Sequence, residues 1–299
     1  MLSICIPVYN YDVTTLVGKL CAQLKDISQK AEIIVMDDGS SNDYKLINKT
    51  IKNDYKVNYI ELKENVGRSA IRNLLAKRSI FNYILFLDCD SDIKPNFVKT
   101  YMNNIDKGSE VICGGTLHPN ICPSPNKTLR WKSGTMREDR SVSVRERNKY
   151  TSFTSNNFVV KTEVFYQYSF NENITKYGHE DTLFGIELDI NSVKIKHIDN
   201  PAIHIGIDSN IEYLNKTEQA IENLVQILLD NKYSNALYDK IKLLRYAKMI
   251  QQYGLKGIVI KLYLKFRLKI INNLCSNNPN LLLFDLYKIG YYFNIKDKK

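Results

Sequence analysis

Three carboxylates close an apolar run in this chain: ILFLDCDSDIKP, from Ile84 to Pro95, ends in Asp88, Asp90 and Asp92. A run of this kind reads as a buried strand. A strand that stops in alternating acids delivers them to the carboxyl edge of a sheet, where α/β proteins bind their ligands. Carboxylates this close repel one another, and a hard divalent cation, Mg2+ or Mn2+, itself holding a diphosphate, offsets that charge. A solvated acidic turn before Pro95 is the competing reading of the run taken alone. Two other strand ends carry polar groups. IPVYN sets Pro7, Tyr9 and Asn10 at the first, where the polar end can face a nucleotide. The second closes in Asp37-Asp38-Gly39-Ser40, where a carboxylate can accept from a pyrimidine N–H and Gly39 permits a tight turn, although a helix-capping turn fits as well. Asn65-Val66-Gly67-Arg68-Ser69 opens a helix, with Arg72 and Asn73 one turn on. Backbone N–H groups beside a guanidinium suit a phosphate or carboxylate; an arginine tied to an acidic strand tip explains the same residues.

The elements that must position these groups alternate. LSICIPVYN, AEIIVMDDGS, VNYIELKEN and YILFLDCDSD read as strands. Between them lie helical stretches over 14–25, with Leu16, Val17, Leu20 and Leu24 on one face, over 43–52, and from the glycine of GRSAIRNLLAKRS. Strand and helix in strict alternation imply a doubly wound parallel sheet with right-handed crossovers. The centre, about 108–150, reads as loop-rich, with Pro119, Pro123, Pro125, the only tryptophan, Trp131, and a charged run from Arg137 to Lys149 that is either a lid or a solvated surface segment. FVV and VKIKHI are strand-like and flank a helix starting near His179. From Asn215 the pattern is helical to the end.

PVYN, the DDGS turn, the NxGxSxxRN segment and the DxD-type pair Asp88 and Asp90 together resemble the family 2 glycosyltransferases with a GT-A fold, closely over about residues 2 to 100. The resemblance implies a Rossmann-like, doubly wound mixed sheet with a C-terminal helical extension. It places Asp38 on the base, Asp88 on the ribose or uridine side and beside the metal, and Asp90 on that metal, which bridges the diphosphate. Pro7, Tyr9, Asn10, Asn65, Gly67, Arg68 and Arg72 fall in its nucleotide-sugar-binding segments. Tyr177-Gly178-His179-Glu180-Asp181 is similar to the family's GxED segment, which makes Asp181 the general base and leaves Glu180 to hold acceptor hydroxyls. An inverting transfer needs such a carboxylate beside the acceptor hydroxyl. An acid pair favoured by the dipole of the following helix is the structural alternative. Asn156 and Asn157, in TSNNFVV, stand where the family has polar residues near the diphosphate or acceptor. His204, in NPAIHIG, is a candidate further metal ligand or a core histidine; His118 and His197 read as structural. A tyrosine before Gly178, where the family often has tryptophan, bears on acceptor preference.

The net charge of +10 is unevenly placed: residues 215–299 hold 15 Lys and Arg against 6 Asp and Glu, leaving 27 and 26 to the first 214. A near-neutral domain over 1–210 is therefore followed by a basic helical region over 211–299, and the asymmetry calls for an anionic partner. In GLKGIVIKLYLKFRLKIINNL, from Gly254 to Leu274, Lys261, Lys265 and Lys269 are spaced as one helical stripe in otherwise apolar surroundings. Five cations in that span argue against a transmembrane helix; a helix in the headgroup layer of an anionic membrane and a helix packed on the protein both fit. No nucleic-acid reader accompanies the charge. No charged leader precedes an apolar stretch, and six scattered cysteines lack metal spacing, so a reduced cytoplasmic protein, peripheral on the inner membrane face, is expected. The sequence thus predicts a Mn2+- or Mg2+-dependent inverting transferase that moves a sugar from a nucleoside diphosphate, a UDP-sugar by preference, to a saccharide or lipid-linked acceptor. A non-catalytic nucleotide-sugar-binding scaffold and a nucleotidyltransferase are the rivals. The intact acid set argues against the first, and PVYNYD, which lacks a glycine-rich basic loop, against the second.

Overall fold

Strand β1, Leu2–Val8, is buried almost along its whole length, and its side chains divide by parity. Leu2, Ile4, Ile6 and Val8 enter one apolar layer while Cys5 enters the other, so both faces of the strand are covered. Tyr83–Leu87 (β4) repeats the pattern, with Tyr83, Leu85 and Leu87 in the first layer and Ile84 and Phe86 in the second. A continuous apolar run is what such a two-sided strand requires. The computed structural model describes residues 1–55, 57–105, 107–174, 176–229 and 233–296.

Among the described residues ten strands make two sheets. Besides β1 and β4 the larger contains β2 (Ala31–Asp37), β3 (Asn58–Glu61), β6 (Val111–Cys113), β8 (Asn157–Lys161) and β9 (Ile195–His197), in the order β3-β2-β1-β4-β8-β6-β9. The first four are parallel, with Val8 opposite Asp37, so the polar ends of β1 and β2 are level. β8 runs antiparallel to both β4 and β6, which makes the sheet mixed, and sets Leu87 opposite Asn157. The smaller sheet is β5 (Ser91–Asp92), β10 (Ala202–His204) and β7 (Thr116–Leu117), in the order β5-β10-β7; it pairs Ser91 with His204 just past the end of β4. Phe86, Phe158, Phe165, Phe170 and Phe184 fill the second layer with ring contacts of 4.6–6.4 Å.

The chain divides into two compact units. The sheet unit takes Met1–His118, Glu138–Thr175 and Glu180–Gly206; the helical unit takes Pro119–Arg137, Lys176–His179 and Ile207–Lys299. A single cut after residue 210 misses two excursions, because Leu129 belongs to the same apolar cluster as Leu214, Tyr263 and Phe284. The centre also differs from the loop expected there. It contains β6, β7 and the helices Thr128–Arg137 and Val142–Arg147. Nor is the charged run simply solvated. Arg145 is buried and donates to the carbonyls of Arg140, Cys113, Gly114 and Ile198, which fastens the helix to the ends of β6 and β9. In the helical unit Tyr287, Tyr292 and Phe293 are buried and serve packing.

Candidate active site

The carboxyl ends of β1, β2 and β4 gather the acids named above. Asp37 closes β2 and accepts from the Ser40 N–H at 2.8 Å; Asp38 N–H donates to the Val8 carbonyl at 2.7 Å, which ties the second strand end to the first. The Asp38 carboxylate is almost fully buried and accepts from the Val66 and Gly67 N–H groups at 2.7 and 3.2 Å. Burial raises its pKa and those two N–H bonds pull it back. Asp38 therefore fixes the Asn65–Gly67 turn, whose Asn65 is exposed. Gly39 has φ +74°, and a Cβ there would lie 2.6 Å from the Glu64 carbonyl carbon, so the DDGS turn needs glycine for both reasons. Tyr9 is about half exposed and Asn10 is exposed, with the Asn10 amide oxygen accepting from Ser41 N–H at 2.8 Å; Pro7 sits partly buried before them.

Asp88 leaves β4 with its N–H held by the Asn156 carbonyl at 3.0 Å and its carboxylate met by Arg72 at 2.6 Å. The Arg72 side chain is 2% exposed, and it also donates to the Arg68 carbonyl at 3.1 Å. Arg68, one turn earlier on the helix Arg68–Arg78, lies 3.7 Å from Glu180. Two arginines on one helix face thus join the acid at the end of β4 to the acid pair at the start of the helix Glu180–Ile190. Glu180 is buried, and Asp181 is held by the Thr182 N–H at 2.6 Å. Burial first, and the Glu180 charge second, raise Asp181 to about 7 despite Thr182 and Arg72. The chain reaches this helix through Gly178 and His179 at φ +92° and +72°.

Asp90 faces β10. Its carbonyl accepts from the Ile205 N–H at 2.9 Å, and its Oδ1 lies 3.4 Å from His204 Nδ1. A Cβ on Gly206 would come within 2.5 Å of Asp90 Oδ2, so the carboxylate occupies space a side chain would take. Two donors about 3 Å apart are spaced as adjacent ligands of an octahedral ion with bonds of about 2.1 Å. Asp90 and His204 fit such an ion as part of its shell. Among the described residues no three His, Cys, Asp or Glu converge as a complete metal cage. Asp92 turns to Lys19 instead.

Sequence reasoning misplaced one residue and missed others. Asn157 is fully buried; its amide donates to the Gly115 and Asn200 carbonyls at 2.9 Å each and accepts from the Tyr101 hydroxyl at 2.7 Å, so it braces the fold and has no surface for a ligand. Its neighbour Asn156, only partly buried and bonded to Thr116, carries the backbone contact to Asp88. His118, bonded to Asp139 at 2.6 Å, sets its ring 5.6 Å from that of His204. Those partners lie far apart in sequence, and no local pattern announces them.

Residues 3–173 match the model of the family described as Glycosyl transferase family 2. An uncharacterized glycosyltransferase of Rickettsia conorii is 36% identical over 89 residues, which is 30% of this chain and 14% of the relative. The chain thus spans about a seventh of that relative's length. The GalNAc(5)-diNAcBac-PP-undecaprenol beta-1,3-glucosyltransferase of Campylobacter jejuni is 25% identical over 301 residues, 95% of this chain and 92% of its own. Two solved structures share the fold, a GT-A architecture: S. aureus TarS 1-349 in complex with UDP-GlcNAc (TM-score 0.50, 17% identity, 99% of this chain and 90% of that one), and the mannosyltransferase PcManGT from Pyrobaculum calidifontis in complex with GDP-Man and Mn2+ (TM-score 0.60, 10% identity, 100% and 86%).

Proposed function

The chain belongs to glycosyl transferase family 2, and from that premise we propose an inverting, metal-assisted transfer of a sugar from a UDP-sugar to a hydroxyl of a saccharide or lipid-linked acceptor. The observation that carries this reading is the pair of arginines linking Asp88 to the Glu180–Asp181 pair, with Asp181 raised to about 7. A donor-side acid and a group able to take a proton near neutral pH then share one framework. The UDP-GlcNAc and GDP-Man complexes of the structural neighbours support a nucleoside diphosphate donor, and the name of the Campylobacter relative supports a lipid-linked acceptor.

In this mechanism the ends of β1 and β2, with Tyr9, Asn10 and the turn braced by Asp38, hold the nucleoside. The Asn65–Arg68 segment and Asp88 position the ribose and diphosphate, and Glu180 orients the acceptor. The Asp181 carboxylate takes the hydroxyl proton as the acceptor oxygen bonds to the anomeric carbon from the face opposite the diphosphate. The carbon–oxygen bond to the diphosphate breaks, and its electron pair leaves with that group. A carboxylate of pKa near the working pH is suited to this step, because it is substantially ionised and still basic. Asp90 and His204 would hold Mn2+ or Mg2+, which supplies charge stabilisation on the leaving diphosphate.

A panel of nucleotide-sugars incubated with the protein and Mn2+ or Mg2+, read as released nucleoside diphosphate, tests the proposal. Metal-dependent turnover of one donor, lost in Asp90→Ala, is expected. No turnover together with no metal-dependent donor binding would sink it.

A further inference from the structure

The helix Lys256–Leu274 is only half used by the fold. Tyr263, Ile270 and Leu274 are buried in the apolar cluster that also takes Phe284 and Tyr287 of the helix Leu281–Lys296, and a Cβ on Gly290 would strike Tyr263 at 2.5 Å. Arg267 is engaged within the same unit, donating to the Tyr263 hydroxyl at 3.0 Å and pairing with Glu218 at 3.3 Å. One side of the helix therefore packs.

The other side does not. Lys261, Lys265 and Lys269 point outward as a stripe with four-residue spacing. An apolar row borders the stripe on each side: Ile258, Leu262 and Phe266 on one, Leu264 and Leu268 on the other. All five are exposed, from 37% at Phe266 to 74% at Leu268. Across the Gly254 turn the exposure continues through Leu255 and Tyr253 to Met249 and Tyr246. Large apolar side chains grouped this way mark an interaction surface. The cations between them select its partner, since a protein core or an apolar subunit interface would have to desolvate three ammonium groups.

We infer that this face of the Lys256–Leu274 helix docks on an anionic lipid bilayer. The lysines reach lipid phosphates on their flexible stems, and the apolar rows settle at the boundary between headgroups and acyl chains. Docking is parallel to the surface. No described helix is long and apolar enough to cross a membrane. Vesicle binding is read without turnover, so this inference stands or falls apart from the donor reading.

The test is sedimentation of the full chain with phosphatidylcholine vesicles, with and without phosphatidylglycerol, at about 0.1 M salt. Binding only to the anionic vesicles is expected. Replacing Lys261, Lys265 and Lys269 together by glutamine should weaken it about a hundredfold. Leu264→Ser with Leu268→Ser should weaken it at least about tenfold. Neither set should move the melting temperature, because these side chains are exposed. Failure to pellet, or equal binding to neutral vesicles, overturns the inference. A dimer in solution that Leu268→Ser dissociates, with no vesicle binding, assigns the face to a second copy of the chain instead.

Discussion

The two acidic centres of the sheet unit are built on opposite terms. At the end of β4, Asp88 meets the buried Arg72 guanidinium and Asp90 faces His204. At the start of the helix Glu180–Ile190 two carboxylates are adjacent; Arg68 lies 3.7 Å from Glu180, and Arg72 only partly offsets the rise at Asp181. A carboxylate set against a guanidinium or an imidazole is placed to hold a ligand. One buried beside another carboxylate keeps its proton longer and suits moving it. Residue type is the same in both places; the neighbours divide the labour.

Asp181→Asn should break that division most severely. It keeps the shape and removes the proposed base, so turnover is expected to fall about a thousandfold while donor affinity, measured by calorimetry, stays within about twofold. Arg72→Met attacks the other centre. It leaves Asp88 without its partner and should cost about 3 kcal/mol in urea unfolding, partly recovered when Asp88→Asn is added. Gly206→Ala is subtler: the new methyl displaces the Asp90 carboxylate, and Mn2+ affinity should drop about tenfold with folding intact.

The pH dependence sharpens the contrast with least disturbance. Turnover should fall about tenfold per unit below pH 7 as Asp181 takes up its proton. Stability runs the other way. The folded chain binds this proton more tightly than an unfolded carboxyl of pKa 3.8, so the group's contribution is present below about pH 4 and is lost as pH rises through about 7. Asp181→Asn should therefore gain on the parent in melting temperature between pH 4 and pH 8. A difference that stays constant over that range would contradict the assigned environment.

The parts of this site that sequence makes legible are those where local chemistry and strand ends coincide. The run into Asp88 is readable because a strand covered on both faces must be continuously apolar, and Asp37-Asp38-Gly39-Ser40 because one turn demands its glycine. The centre is not readable in this way. β6 and β7 have three and two residues, too few to show a period, and Arg145 looks solvated although it holds four carbonyls inside the unit. Asn156 and Asn157 share a residue type, yet Asn157 opens β8 buried opposite Leu87 while Asn156 lies just before the strand, a difference set by pairing with β4 rather than by residue type. The helical unit shows the same limit, since periodicity marks Lys256–Leu274 as a helix without saying which flank meets Leu281–Lys296.

Gly206 has a bearing on how this chain could be redesigned. It ligates nothing and catalyses nothing, so a survey of functional groups would pass it by. Yet every replacement carries at least one more carbon into the place that Asp90 fills. Libraries that randomise the loop after β10 in search of new donor preferences would lose most of their members at this single codon, and the losses would look like failures of specificity when they are failures of fit.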